Sequence, residues 1–347
     1  MKCVTMLTMS PRPTNTLVVT VLCALGGFAL ALAPLLRGYI ADRLVVIPVN
    51  QYSKVTLVGE NARYLDIGRM AMVEGASVVV TATVRGAPDS SNARTAVWDS
   101  FIVVEDAETG ADLRVSLWRM AIDRKTGELR NCCGAAVDND LTVPQYGLGP
   151  LWPLGDVHKR DYAIYDPGTR RTWPARFDGV ERIDGVSTYR FVQHIKPTRA
   201  AEYTQLPGAL LGLDDAKRYD AELTSEARVT VWVEPRSGVP VDTRQHVVSR
   251  LRTKDGVDRR TVAEFDLRMV ERDRRAGVRT ADEAGAKIVL VRTTGPLISL
   301  VVGLLLLGAG LSVVARRRGD HIATDLVPPP AIPTGAEAEG SDRRQDA

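Results

Sequence analysis

The chain has 347 residues, 45 Lys/Arg against 42 Asp/Glu, and a formal net charge of +3. That near balance, with no Lys/Arg run interleaved with aromatic residues, argues against a nucleic-acid partner. Four cysteines and 45% hydrophobic residues argue against both a disulfide-stapled scaffold and a disordered chain.

Two charge-free apolar stretches, Thr16 to Leu36 and Thr293 to Ala315, each have about the 20 residues a helix needs to cross a hydrocarbon core. They divide the chain into an N-terminal tail (1–15), a first span (16–36), a charged middle (37–292), a second span (293–315) and a C-terminal tail (316–347). Ala29-Leu30-Ala31 and Ala31-Leu32-Ala33 resemble signal-peptide cleavage sites. The apolar run exceeds a usual signal core, so an uncleaved anchor is the preferred reading and a cleaved signal peptide the alternative. Arg316-Arg317-Arg318 after the second span places both tails in the cytoplasm and the middle outside the plasma membrane.

The middle reads mostly as strands. Ser77 to Val84, Ala96 to Val104 and Asp112 to Ile122 are rich in β-branched residues or alternate in polarity. Turn residues Lys125-Thr126-Gly127 follow the third. Val229, Val231 and Val233 alternate around Thr230 and Trp232. Lys254-Asp255-Gly256 joins Arg244 to Arg252 and Arg260 to Val270 into a predicted hairpin, with one face of the second strand apolar and the other charged. Arg199 to Glu226 is expected to be helical or irregular, and a helical piece is expected to run from Ala281 into the second span. The tail from Gly319, with Pro328-Pro329-Pro330, has little to bury and is expected to be disordered. The fold class is therefore α+β, a β-rich extracytoplasmic domain with an antiparallel sheet or barrel-like form between two transmembrane helices.

Several segments occur in a recognisable order: Asp123-Arg124-Lys125-Thr126-Gly127, Leu151-Trp152-Pro153-Leu154, Tyr162 to Asp166-Pro167, Phe177-Asp178-Gly179, Gly185 to Phe191, and Val231-Trp232-Val233-Glu234-Pro235-Arg236-Ser237-Gly238-Val239. Together they resemble the actinobacterial porin PorA-like family, catalogued as a domain of unknown function, across nearly the whole chain. The resemblance implies a cell-envelope location and a helix, ectodomain, helix layout. It implies no catalytic residue set. A lipid-embedded barrel needs an unbroken lipid-facing apolar set on strands of about 10 residues, whereas segments such as Arg244 to Arg250 carry polar groups on both faces. The strands suit a water-soluble domain better.

Catalytic constellations are missing from the sequence pattern. His158, His194 and His246 stand at no metal-ligand spacing, and Asp138-Asn139-Asp140 lacks the Gly and distant Glu of a calcium loop. No metal, no cofactor and no enzymatic activity are expected. Cys132-Cys133 is the cysteine pair expected outside the membrane, and a strained vicinal disulfide, a link to another chain and two reduced thiols all remain open. Tryptophans mostly serve as core. Trp152, Tyr162, Tyr165 and Trp173 are the candidates for an apolar ligand groove. The leading functional expectation is a non-enzymatic envelope protein whose ectodomain binds or passes on a lipid or glycolipid, in a layout similar to that of class B scavenger receptors. The alternatives are an assembly component that meets other envelope membrane proteins through Gly26-Gly27 and Gly303 to Gly310, and an oligomeric pore.

Overall fold

Alternating Val/Thr segments pair into one curled antiparallel sheet in the computed structural model, which describes residues 14–66 and 68–324, with side chains from 17 to 316 apart from residue 67. The chain divides into two compact units, one formed by Leu35–Pro296 and the other by the flanking segments up to Pro34 and from Leu297.

In the flanking unit, helix α1 (Thr14–Leu35) meets the apolar part of helix α5 (Gly295–Thr324) through glycines. A Cβ on Gly26 would stand 2.8 Å from Leu307 and 3.1 Å from the Gly303 carbonyl oxygen, and one on Gly310 would stand 3.0 Å from the Cys23 sulfur. The small-residue patches therefore pack span against span within the chain, while Gly27 and Gly308 face open space. Helix α5 continues through Gly319 to Thr324, past the point where the tail was expected to lose structure. Cys3 and Pro328-Pro329-Pro330 lie outside the described residues.

In the larger unit a π turn (Leu36–Ile40) and helix α2 (Ala41–Leu44) lead to strands β1 (Tyr52–Asp66), β2 (Ala71–Gly86), β3 (Thr95–Asp106) and β4 (Asp112–Asp123). Short strands β5 (Leu129–Arg130), β6 (Ala136–Val137) and β7 (Tyr162–Asp166) follow. The long strands β8 (Arg171–Ile183), β9 (Val186–Pro207), β10 (Arg218–Val233), β11 (Pro240–Thr253) and β12 (Asp258–Met269) complete the sheet. The strand order is β5-β4-β3-β2-β1-β12-β11-β10-β9-β8-β7, with β6 beside β4. Neighbours are mostly joined by hairpins, whereas the first and last long strands, β1 and β12, pair at the centre.

Arg199 to Glu226 differs from expectation. It is mostly strand, interrupted by one helical turn, α3 (Gly208–Leu211). Cross-strand pairing from Arg218↔Pro207 to Val233↔Tyr189 satisfies this backbone, and its charges pair across strands, as Arg199 does with Glu222 at 3.3 Å. Leu211 of α3 packs on Ala221 and Leu251, so the local helix signal amounts to a capped hairpin end.

Helix α4 (Glu271–Val289) begins well before Ala281 and runs through a second π turn (Leu290–Thr294) into α5. Glu271 and Asp273 in its first turn complement the helix dipole. Its buried residues Val278 and Ala281 lie on Trp232 and Val241 of the sheet's outer face.

Candidate functional site: the inner face of the sheet and its closed base

The recognisable segments converge at the end of the sheet where the connectors from α2 and to α4 attach. Ile47 donates its backbone N–H to the Arg124 carbonyl oxygen, and Arg124 Nε returns a hydrogen bond of 2.7 Å to the Ile47 carbonyl oxygen. Glu234, 1% exposed, accepts from Arg236 Nε at 2.7 Å and from the Ser237 N–H at 2.8 Å, while Arg236 Nη2 reaches Asp282 of α4 at 2.7 Å. Gly285 of α4 lets the helix approach this turn, because a Cβ there would lie 2.9 Å from the Glu234 carboxylate. The Glu-Pro-Arg-Ser-Gly segment is thus a seat for the helix that leads into the second apolar stretch.

The same end closes on itself. Leu129 donates its N–H to the Gly147 carbonyl, Leu148 donates to Ala163, and Tyr165 donates back to Leu148, so one loop bridges edge strands β5 and β7. Gly147 has φ +84°, and a Cβ would stand 2.5 Å from the Ala163 oxygen, which requires glycine. Inside the closure, Trp98, Met120, Ile122 and Ile47 form one packed cluster, with Trp118 Nε1 donating to the fully buried Gln145 at 2.8 Å.

The candidate groove residues sit in or beside this base. Trp152 packs at 4.0 Å from Phe191 and 4.9 Å from Tyr162, ring centre to ring centre, and all three are buried. The sequence reading missed Phe191 as their partner, though it lies in a strand segment already singled out. Tyr165 packs apart from them, 5.8 Å from Trp118, and burial pushes its phenol up to about 12. Trp173 is half-buried and donates to Thr169 Oγ1 at 3.0 Å. None of the four lines the surface clefts of about 350 and 200 Å³ beside Trp118 and beside Arg292.

Beyond the base, the inner face carries apolar residues that are half-buried at Ala227, Val247 and Phe265 and buried at Ile195, Leu267, Leu57 and Val80. Register places Ala227, Val247 and Phe265 side by side on β10 to β12, with Ile195 on β9. Val229 aligns with Gln245 and Leu267, and on the other half of the sheet Leu57, Val80 and Val104 align across β1 to β3. The base core bounds this face at one end and Leu211 of α3 bounds it at the other. The period-two pattern of β10 and β12 was the available signal. It marks a buried face without telling a packed face from an open one.

Tyr64 donates to Asp106 at 2.8 Å on the same face. Hydrogen bonds from the Thr109 N–H, then from Tyr64, hold the Asp106 carboxyl down to about 2, against the opposing effect of burial. Cys132 and Cys133 are solvent-exposed free thiols, Cys133 with φ +58°, and partial desolvation by the surrounding turn, then the Cys133 neighbour, push the Cys132 thiol up to about 11. Among the described residues no group of three His, Cys, Asp or Glu side chains is placed to hold a metal ion.

A family model described as Porin PorA matches residues 18–312, which takes in both apolar helices and the entire sheet. The chain belongs to the Porin PorA family. No curated protein matches it. The two long apolar helices fit a membrane protein of this family, and the sheet between them places the family's motifs at the base.

Proposed function

We propose that this member of the Porin PorA family is a non-enzymatic envelope protein whose inner sheet face takes up the acyl part of a membrane lipid or glycolipid. The observation that carries the reading is the row Ala227, Val247 and Phe265, apolar and half-buried beside the buried Leu57, Val80 and Leu267 of the same face. Such a face gains roughly 25 cal/mol for each Å² of apolar surface covered by an acyl chain. Trp152, Tyr162 and Tyr165 then form the floor of the site, and Trp173 its rim. We place the sheet outside the plasma membrane and both termini in the cytoplasm, on the strength of Arg316-Arg317-Arg318 after the second span.

A pore along the sheet axis is disfavoured by the base, where Leu148 bridges the edges and Trp98, Met120 and Phe191 are almost fully buried. A role in assembly with other envelope membrane proteins has one observation in its favour. Phe101, Val115 and Leu117 are exposed on the outer face of β3 and β4, Phe101 directly opposite Leu117. Native mass spectrometry of the detergent-extracted full chain tests the preferred reading. Wild type should carry a co-purified lipid that Val247→Asp and Phe265→Asp lose, with Phe101→Asp unaffected. A lipid-free wild type, or equal retention in all variants, would contradict it.

A further inference from the structure

Arg292 lies in the second π turn, immediately before the apolar stretch that begins at Thr293. Its Nη1 donates to the Leu154 and Gly155 carbonyl oxygens, both at 3.2 Å, and no carboxylate among the described residues pairs with it. A half-buried guanidinium without a counter-anion is a poorly satisfied group. The loop that Arg292 grips also carries His158, Lys159 and Arg160, all exposed. Lys159 and Arg160 lie over the rings of Tyr189 and Tyr162, at 5.7 and 5.0 Å, rather than against carboxylates.

Between this loop and the helix is a cleft of about 200 Å³ lined by Val157, His158, Arg236, Ile288, Arg292 and Thr293. Asp156 also lines the cleft and faces His158 at 2.9 Å, and Glu234 and Asp282 both pair with Arg236 at 2.7 Å. Each of these acids has a basic partner, which leaves Arg292 as the cation on one wall without a carboxylate among the described residues, while Val157, Ile288 and Val289 make the aliphatic part.

We propose that this cleft holds the phosphate of an anionic membrane phospholipid, with Arg292 as its anchor and Ile288 against the glycerol and first acyl carbons. Among the described residues the guanidinium nitrogens other than Nη1 have no acceptor, which leaves them to donate to phosphate oxygens. A bilayer lipid is favoured over a free anion because the apolar stretch starts at Thr293, which sets the cleft at headgroup level. The proposal rests on the spans crossing a membrane and is independent of any ligand on the inner face.

The test is native mass spectrometry and thermal unfolding of the full chain in detergent, titrated separately with phosphatidylglycerol, phosphatidylcholine and inorganic phosphate. Phosphatidylglycerol should bind about tenfold more tightly than phosphatidylcholine, because the choline cation of the latter offsets the phosphate charge and is repelled by Arg292, an effect on the scale of one ionic contact. His158→Glu, an exposed change that sets a second carboxylate beside Asp156 in the cleft, should abolish this preference while the chain still unfolds cooperatively. Arg292→Lys should weaken it and retain part. Val247→Asp should leave it intact, which separates this site from the inner face. Equal binding of the two lipids, or a preference that survives His158→Glu, would overturn the proposal. Equal stabilisation by inorganic phosphate alone would overturn the lipid assignment in favour of a free-anion site.

Discussion

Trp152 and Asp106 show how single side chains hold the two regions of the inner face. Trp152 fills the space between Phe191 and Tyr162 at 3% exposure, so Trp152→Ala should cost about 3–5 kcal/mol, read as a shifted denaturation midpoint. A floor residue of this kind is predicted to lower stability more than it lowers lipid retention per folded molecule. Asp106 has its folded-state pKa depressed from 3.8 to about 2. Its contribution is therefore present above the unfolded value and is lost as pH falls through the folded one. Unfolding temperature measured between about pH 5 and pH 2 should fall more steeply in wild type than in Asp106→Asn, which starts less stable at neutral pH. Parallel curves would show that the Tyr64 and Thr109 hydrogen bonds do not favour the ionised carboxylate.

At the scale of elements, the spans and the seat of α4 depend on close approach at glycine. Gly303→Leu should disrupt the α1–α5 contact, because a Cβ at Gly303 already falls 2.8 Å from Leu30, whereas Gly308→Leu meets open space and should be tolerated. Cysteine cross-linking between the two spans, lost in the first variant and kept in the second, checks this. Period-two alternation made β4 and β12 legible, β-branched composition made β2 and β3 legible, and the Lys254-Asp255-Gly256 turn marked β11. The β9–β10 hairpin was not legible. Leu210, Leu211 and Leu213 have helical spacing, but long-range pairing decides the backbone around them. Helix α4 was found only in its second half, since Arg272, Arg274 and Arg275 obscure a stripe whose buried members are Val278, Ala281 and Gly285.

For the whole molecule, the apolar stretches at both ends were legible by length alone, and the ordered motifs pointed to the family. What the motifs do was not legible. They bring the two connectors and the bridging loop to one closed base, a juxtaposition that needs the sheet to curl until β5 and β7 meet through Leu148. The aromatic cluster around Trp152 was correctly grouped with Tyr162, but its burial depends on Phe191 and Val233, strands away in sequence. The closed base supplies the floor in the proposed function, and the apolar inner face above it the walls.

The most direct measurement is photo-cross-linking with a benzophenone amino acid placed in turn at Val229 and Val247 on the inner face and at Val79 and Val103 on the outer face, in membranes of the native host. The account predicts lipid adducts, identified by mass spectrometry, at Val229 and Val247 and none above background at the outer positions. Adducts at equal yield on both faces, or only at Val79 and Val103, would contradict it.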